Sequence, residues 1–101
     1  MLSSKQRAYL RGLANTIDTI VYVGKGGMTD QIIKQADDAL TAREIIKCKC
    51  LENSPLTSRE AADLVSEATD SDVVQVIGSK FVLYRPNADE PVIKLPKNKN
   101  N

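Results

Sequence analysis

Gly24-Lys25-Gly26-Gly27 follows the short apolar run Ile20 to Val23, and Thr29-Asp30 comes directly after it. The apolar run is β-prone, and Thr29-Asp30 is a helix-start signal. Glycine tolerates left-handed backbone and lets another backbone approach closely. The first-turn N–H groups of the following helix have no intrahelical partners and attract anions. A strand, glycine loop and helix in this order can sit against a phosphate, with Lys25 supplying charge. The same unit also makes a tight strand-to-helix turn with no ligand, and the tetrapeptide alone does not separate the two.

Other chemistries find little support. In a dinucleotide fingerprint begun at Gly24, the third glycine would stand at position 29, which is Thr29. Glu44 lies 20 residues beyond Gly24, as a ribose-binding acid would, but it opens a predicted strand. A chain of 101 residues is also too short for a two-half dinucleotide fold. The Gly-x4-Gly-Lys-Ser/Thr string of a Walker A loop is absent. The chain has no histidine for acid–base work at neutral pH. Its carboxylates fall on predicted helix exteriors, where water solvates them. Ser79-Lys80 sits in a predicted hairpin turn, and neighbouring strand residues point to opposite faces. No catalytic residue is assigned, and an enzyme is not expected.

Both cysteines lie in Lys47-Cys48-Lys49-Cys50. On a strand they share a face with Cα atoms about 6.6–6.8 Å apart, near the upper limit for a disulfide. With no other cysteine and no histidine to complete a zinc site, they read as reduced core thiols. No metal and no cofactor is expected.

The elements that must position the glycine loop are legible in periodicity. Ser3 and Gln6 form a capping box, and Leu10, Leu13, Ala14 and Ile17 follow at helical spacing. The spacing predicts a helix over about residues 4–15, with Arg7 and Arg11 on one flank and Lys5 and Tyr9 on the other. Ile20 to Val23 is a short strand. A second helix runs from Asp30 to about Ala42, burying Ile32, Ile33, Ala36, Ala39 and Leu40, with Lys34 facing water. Glu44 to Leu51 alternates as a strand, Ile46, Cys48 and Cys50 on one face and Lys47 and Lys49 on the other. Thr57 and Glu60 form a second capping box. The third helix, ending near Thr69, carries an apolar stripe of Ala61, Leu64, Val65 and Ala68. Its outside is acidic, with Glu60, Asp63 and Glu67. Val73 to Ile77 and Phe81 to Arg85 are strands joined by the two-residue hairpin signal Gly78-Ser79. Val92 to Leu95 reads as a marginal edge strand. The order is α-β-α-β-α-β-β, which predicts an α/β fold, a mixed four-stranded sheet with three helices.

One domain over residues 1–96 and a disordered tail over 97–101 account for the chain. No apolar run approaches a membrane span, and the N-terminus lacks the apolar core of a secretory signal, so a cytoplasmic protein is expected. Net charge is +1, but it is unevenly divided. Residues 1–36 carry five cations against two acids, residues 37–79 four against nine, and residues 80–101 five against two. That division makes a two-faced molecule if the ends of the chain share a face.

Taken together, Ser4-Lys5-Gln6, Val23-Gly24-Lys25-Gly26-Gly27, Gln75-Val76-Ile77-Gly78 and Val82-Leu83-Tyr84-Arg85 resemble the CRM domain, named for chloroplast RNA splicing and ribosome maturation. The resemblance runs from about Leu2 to Pro96, in the order of the single-domain bacterial members. It implies an RNA-binding module whose core resembles the C-terminal domain of the third bacterial initiation factor. It also implies association with rRNA in precursors of the large ribosomal subunit. The GxxG loop is of the kind by which KH domains clamp nucleic-acid backbone. On this reading Gly24, Gly26 and Gly27 fit the RNA backbone and Lys25 supplies charge at the tip. Arg7 and Arg11 flank the loop, and Lys5 and Arg85 add to the basic surface, as Lys47 and Lys49 do if their face allows.

Two features depart from a strong RNA binder. The middle of the chain is acidic, and Tyr9, Tyr22, Phe81 and Tyr84 are the only aromatics. Recognition should then lean on backbone and shape. Ribosomal proteins are further expected partners, whereas a membrane or a small-molecule substrate is not. The reading from another class is a protein–protein adaptor that binds a basic ribosomal protein through the acidic third helix.

Overall fold

The computed structural model describes residues 2–97. Both capping boxes close. Ser3 Oγ accepts the Gln6 N–H at 3.1 Å while Gln6 Oε1 accepts the Ser3 N–H at 3.1 Å, starting α1 (Ser4–Ala14). Thr57 and Glu60 do the same at 3.1 and 2.9 Å for α3 (Ser58–Thr69). Between them run β1 (Thr19–Val23), α2 (Asp30–Arg43) and β2 (Ile45–Cys50). The hairpin β3 (Asp72–Ile77) and β4 (Lys80–Tyr84) follows α3. This is the expected order, an α/β chain with three helices on one mixed sheet.

The strands lie in the order β1-β2-β4-β3. β1 and β2 are parallel across the α2 crossover, and β4 fills the gap between β2 and β3, antiparallel to both. One face of the sheet packs on α2 and α3 through Val21, Val23, Leu40, Ile46, Cys48, Val65, Phe81 and Leu83. The other meets α1 and the C-terminal segment, with Leu10, Ala14, Ile45, Val74, Val82 and Tyr84 buried between them. A bulge between Val73 and Gln75 turns Val74 onto this second face. Covering both faces explains why β1 and β4 are apolar almost throughout.

Three expectations are revised. The buried stripe of α3 is Ala61, Ala62, Val65 and Thr69, whereas Leu64 is 44% exposed and Ala68 is exposed. The sheet selects a stripe rotated about the helix axis, and small residues let α3 approach closely. Glu44 does not open β2. It ends α2 at φ 66 and is buried. Residues 92–95 form no strand. The Val92 and Ile93 N–H groups donate to Glu44 instead of to a neighbouring strand. The tail expected over residues 97–101 lies, apart from Lys97, outside the described residues.

Candidate nucleic-acid interface

The glycine loop is a β-turn closed by the Gly27 N–H donating to the Gly24 carbonyl at 3.0 Å. Lys25 and Gly26 are therefore its two central residues, and both are exposed. Only Gly27 needs to be glycine for its backbone. Its φ is +68, and a Cβ there would meet Pro55 Cγ at 3.2 Å. Gly24 and Gly26 have room, with nothing nearer than 3.7 Å to an added Cβ. The base of the turn is anchored by β1–β2 pairing, extended by Leu51 N–H to the Val23 carbonyl at 2.8 Å. On its far side Thr29 caps α2, its Oγ1 accepting the Ile32 N–H at 3.2 Å. The result is a fixed platform that presents one lysine and one unhindered backbone.

Register then decides which cations join Lys25. Tyr22 stands opposite Lys49, Lys49 opposite Lys80, and Lys80 opposite Ile77. Directly paired residues share a face, so the four make one row across the sheet. The row lies on the α1 face, because the intervening Cys48, Cys50 and Phe81 point into the α2–α3 core. It sits at the sheet end that carries the glycine loop, since Val23 and Cys50 are the last residues of β1 and β2. The next row places Lys47 beside Val82. Lys80 was not anticipated in the sequence. The Gly78-Ser79 turn marks the hairpin, but the facing of Lys80 and Lys49 is a non-local pairing with no local signal.

α1 crosses the opposite half of that face. Gln6 Nε2 donates to the Pro96 carbonyl at 3.1 Å on one flank, the flank of the C-terminal segment. That segment is pinned to Glu44, at the start of β2. Arg7, one position or about 100° further round the helix, donates from Nη1 to the Val73 carbonyl on β3. Arg11 shares its flank and is exposed. The Arg7–Arg11 flank is thus turned toward β3, the sheet edge opposite β1 and its glycine loop, and Arg7 reaches that edge one row from the end remote from the turn. Lys5 projects with Tyr9 from the opposite flank, and both are exposed.

Arg85 is elsewhere and otherwise engaged. It follows Tyr84, which pairs with Ile45 at the start of β2, so it sits at the sheet end remote from the turn. Its guanidinium pairs with Asp37 at 2.6 Å and donates to the Thr69 carbonyl at 2.8 Å and Thr41 Oγ1 at 2.8 Å. It ties the ends of α2 and α3 to β4. The other ion pairs among the described residues, Lys34–Asp38 at 3.0 Å and Arg59–Asp63 at 3.5 Å, also lie on the α2–α3 layer. Lys25, Lys47, Lys49, Lys80 and Arg11 enter none among the described residues. Glu60, Asp63 and Glu67 are on α3, across the sheet from α1 and exposed. The first turn of α3 does reach the loop end, where Ser58 Oγ donates to the Gly78 carbonyl at 2.6 Å.

Cys48 and Cys50 are free thiols buried in the α2–α3 core. Burial and the adjacent Cys50 push the Cys48 thiol up to about 12, and burial raises Cys50 as well. No cluster among the described residues could hold a metal ion, and no helix among them is long and apolar enough to cross a membrane.

The sequence model of the CRS1/YhbY (CRM) domain matches residues 2–85. The Bacillus subtilis protein YqeI, named a probable RNA-binding protein, is 40% identical over 95% of this chain and all of its own length. A Haemophilus influenzae protein named RNA-binding protein is 34% identical over 95% of this chain and 96% of its own. The solution structure of the hypothetical protein SAV1595 from Staphylococcus aureus superposes with a TM-score of 0.79 at 49% identity. That match covers 95% of this chain and all of the other.

Proposed function

The chain belongs to the CRS1/YhbY (CRM) domain family, and from that premise we propose that it binds RNA through the Gly24–Gly27 turn and the Arg7–Arg11 flank of α1. Lys25 meets a phosphate at the turn, and Gly26 leaves its backbone open to the strand. Arg7 holds Val73 through one N–H, and the exposed Arg11 shares its flank. The observation that carries this reading is the division of charge. On the α2–α3 side Lys34, Arg59 and Arg85 are paired with carboxylates, leaving Arg43 at the end of α2, whereas Lys25 at the turn and Lys49 and Lys80 on the sheet row are in no ion pair among the described residues. Uncompensated cations gathered on one surface attract a polyanion.

The RNA is that of large-ribosomal-subunit precursors, in a cytoplasmic, non-enzymatic role in assembly. The resemblance of the glycine loop and the closing Leu83-Tyr84-Arg85 to single-domain bacterial members supports this target. A net charge of only +1 fits a protein that adds modest affinity to a large assembly. The test pairs RNA binding across a salt series with sedimentation of cell extracts, for the parent, Lys25→Ala and Gly26→Asp. Loss of RNA binding and of co-sedimentation with large-subunit precursors in both variants supports the reading. Parental behaviour in both overturns it. The exposed face of α3, where Leu64 lies between Glu60 and Glu67, then becomes the surface to probe for a basic protein partner.

A further inference from the structure

We propose that the uncovered end of the sheet is a second RNA contact that selects single-stranded RNA, with one base stacked on Tyr22 and phosphates on Lys49 and Lys80. This rests on the RNA-binding reading above and names the form of RNA that the surface takes.

The row Tyr22–Lys49–Lys80–Ile77 takes one residue from each strand. Neighbouring strands lie about 4.8 Å apart, so the row spans roughly 14–15 Å, room for a short run of nucleotides. Tyr22 is 49% exposed and Ile77 62% exposed, although both belong to strands whose other residues are largely covered. Neither α1 nor the C-terminal segment reaches them, since the buried cluster beneath α1 stops at Val74 and Val82. The Tyr22 hydroxyl donates to its own strand at the Thr19 carbonyl, at 3.4 Å, so the ring lies back along β1. The phenol is thereby partly satisfied, and its contribution to a ligand is the ring.

Charge specifies the occupant. Lys49 and Lys80 face each other directly, which is destabilising for like charges in a bare sheet. Neither is in an ion pair among the described residues. Glu52, in the loop after β2, lines the same shallow groove as Lys49 and is the nearest acid along the chain. A strand of phosphates relieves the repulsion. An A-form duplex offers phosphates too, but its bases are stacked on one another and its accessible groove is shallow. A single strand alone presents a base face to Tyr22, and one aromatic limits stacking to one base. Tyr22 is followed by Val23 and then the turn, so a strand crossing the row continues onto Lys25.

The test compares binding of a single-stranded oligoadenylate and a duplex RNA, each about ten nucleotides or pairs long. The proteins are the parent, Tyr22→Ala, Tyr22→Phe, the double variant Lys49→Gln/Lys80→Gln, and Lys25→Ala. Thermal unfolding shows that each is folded. Tyr22→Ala should weaken oligoadenylate binding by about fivefold or more, the lower end of the range for base–aromatic stacking. Tyr22→Phe should bind as the parent does. The double lysine variant should lower the single-strand salt slope by roughly 1.4. Duplex binding should be nearly indifferent to Tyr22. The proposal is overturned if Tyr22→Ala binds oligoadenylate as the parent does while Lys25→Ala is impaired, which leaves the turn as the contact. A parent that binds only the duplex also overturns it. If Lys25→Ala and all row variants are parental, the RNA reading itself fails.

Discussion

Glu44 Oε1 accepts the backbone N–H of Ile93 at 2.7 Å, across 49 residues of chain. The same carboxylate accepts Val92 N–H at 2.8 Å and, through Oε2, Asn87 N–H at 2.7 Å. Glu44 itself is 2% exposed, and its own carbonyl accepts the Arg85 N–H at 2.8 Å. One carboxylate therefore fastens the segment that covers α1 and the sheet. Glu44→Gln puts an amide N–H where donors already point, leaving at least one buried N–H without a partner. The expected loss is about 1–3 kcal/mol. Hydrogen exchange at Val92 and Ile93 should quicken by more than exchange in β2. Unchanged exchange at those two amides would show that the segment is held otherwise.

Acid should undo the same fastening. Burial pushes the Glu44 pKa up, but the N–H groups of Asn87, Ile93 and Val92 pull it down further, and it ends below the ordinary carboxylate range. A folded pKa below the unfolded one contributes stability above the unfolded value. That contribution falls away as pH drops through the folded one. The gap in Tm between the parent and Glu44→Gln should accordingly be full at neutral pH and narrow as pH falls below the ordinary glutamate range. A gap independent of pH would mean that packing, not charge, accounts for the loss.

Glu44 also marks where the sequence ceases to be legible. Interactions three residues apart were readable, as at Ser3 with Gln6 and at Thr57 with Glu60. So was the sheet alternation that sends Cys48 and Lys49 to opposite faces. Glu44 looked like the start of a strand because its partners lie more than 40 residues away. Arg85 looked like part of a basic surface, but Asp37 and Thr69 come to it only through the packing of α2 and α3. The turn at Gly24 to Gly27 was identifiable, and the row beside it was not, because the register of four strands is a property of the assembled sheet.

The glycines of the turn should differ in tolerance. Gly27→Ala places a Cβ at φ +68 and 3.2 Å from Pro55 Cγ. The left-handed backbone alone costs about 1–2 kcal/mol. A domain of this size should then lose about 4–8 °C in Tm for each kcal/mol. Gly26→Ala has no such conflict, its nearest neighbour being Thr29 Cγ2 at 3.7 Å, and should unfold close to the parent. Equal destabilisation by both would contradict this division of the turn.

The cysteines should be unreactive in the folded protein. With Cys48 pushed up to about 12 and Cys50 raised, the thiolate needed for attack is scarce at neutral pH. Both side chains are also enclosed by the α2–α3 layer. A thiol-alkylating reagent should modify neither quickly under native conditions and both on unfolding. Rapid labelling of Cys48 in the native state would require that layer to open easily.

Lys25 and Lys34 provide the sharpest comparison for the RNA reading, because they carry the same charge in different settings. Lys34 is paired with Asp38 at 3.0 Å on the outside of α2. Lys25 stands at the tip of the turn with no ion pair among the described residues. Global attraction to RNA would be reduced similarly by removing either. A phosphate seated on the turn distinguishes them. Lys25→Ala should lower the salt slope of RNA binding by roughly 0.7–0.9, the lower figure for single strands, and Lys34→Ala should leave it unchanged. Both are exposed substitutions, and stability should stay within about ±0.5 kcal/mol. Gly26→Asp should weaken binding more than Lys25→Ala does. It adds a carboxylate beside the phosphate position, and the backbone there has neither a positive φ nor a close neighbour to strain. Loss of binding in Gly26→Asp without loss of Tm therefore reports charge at the turn, not damage to the fold. Equal slopes for Lys25→Ala and Lys34→Ala would instead mean that RNA senses only the net charge of the domain.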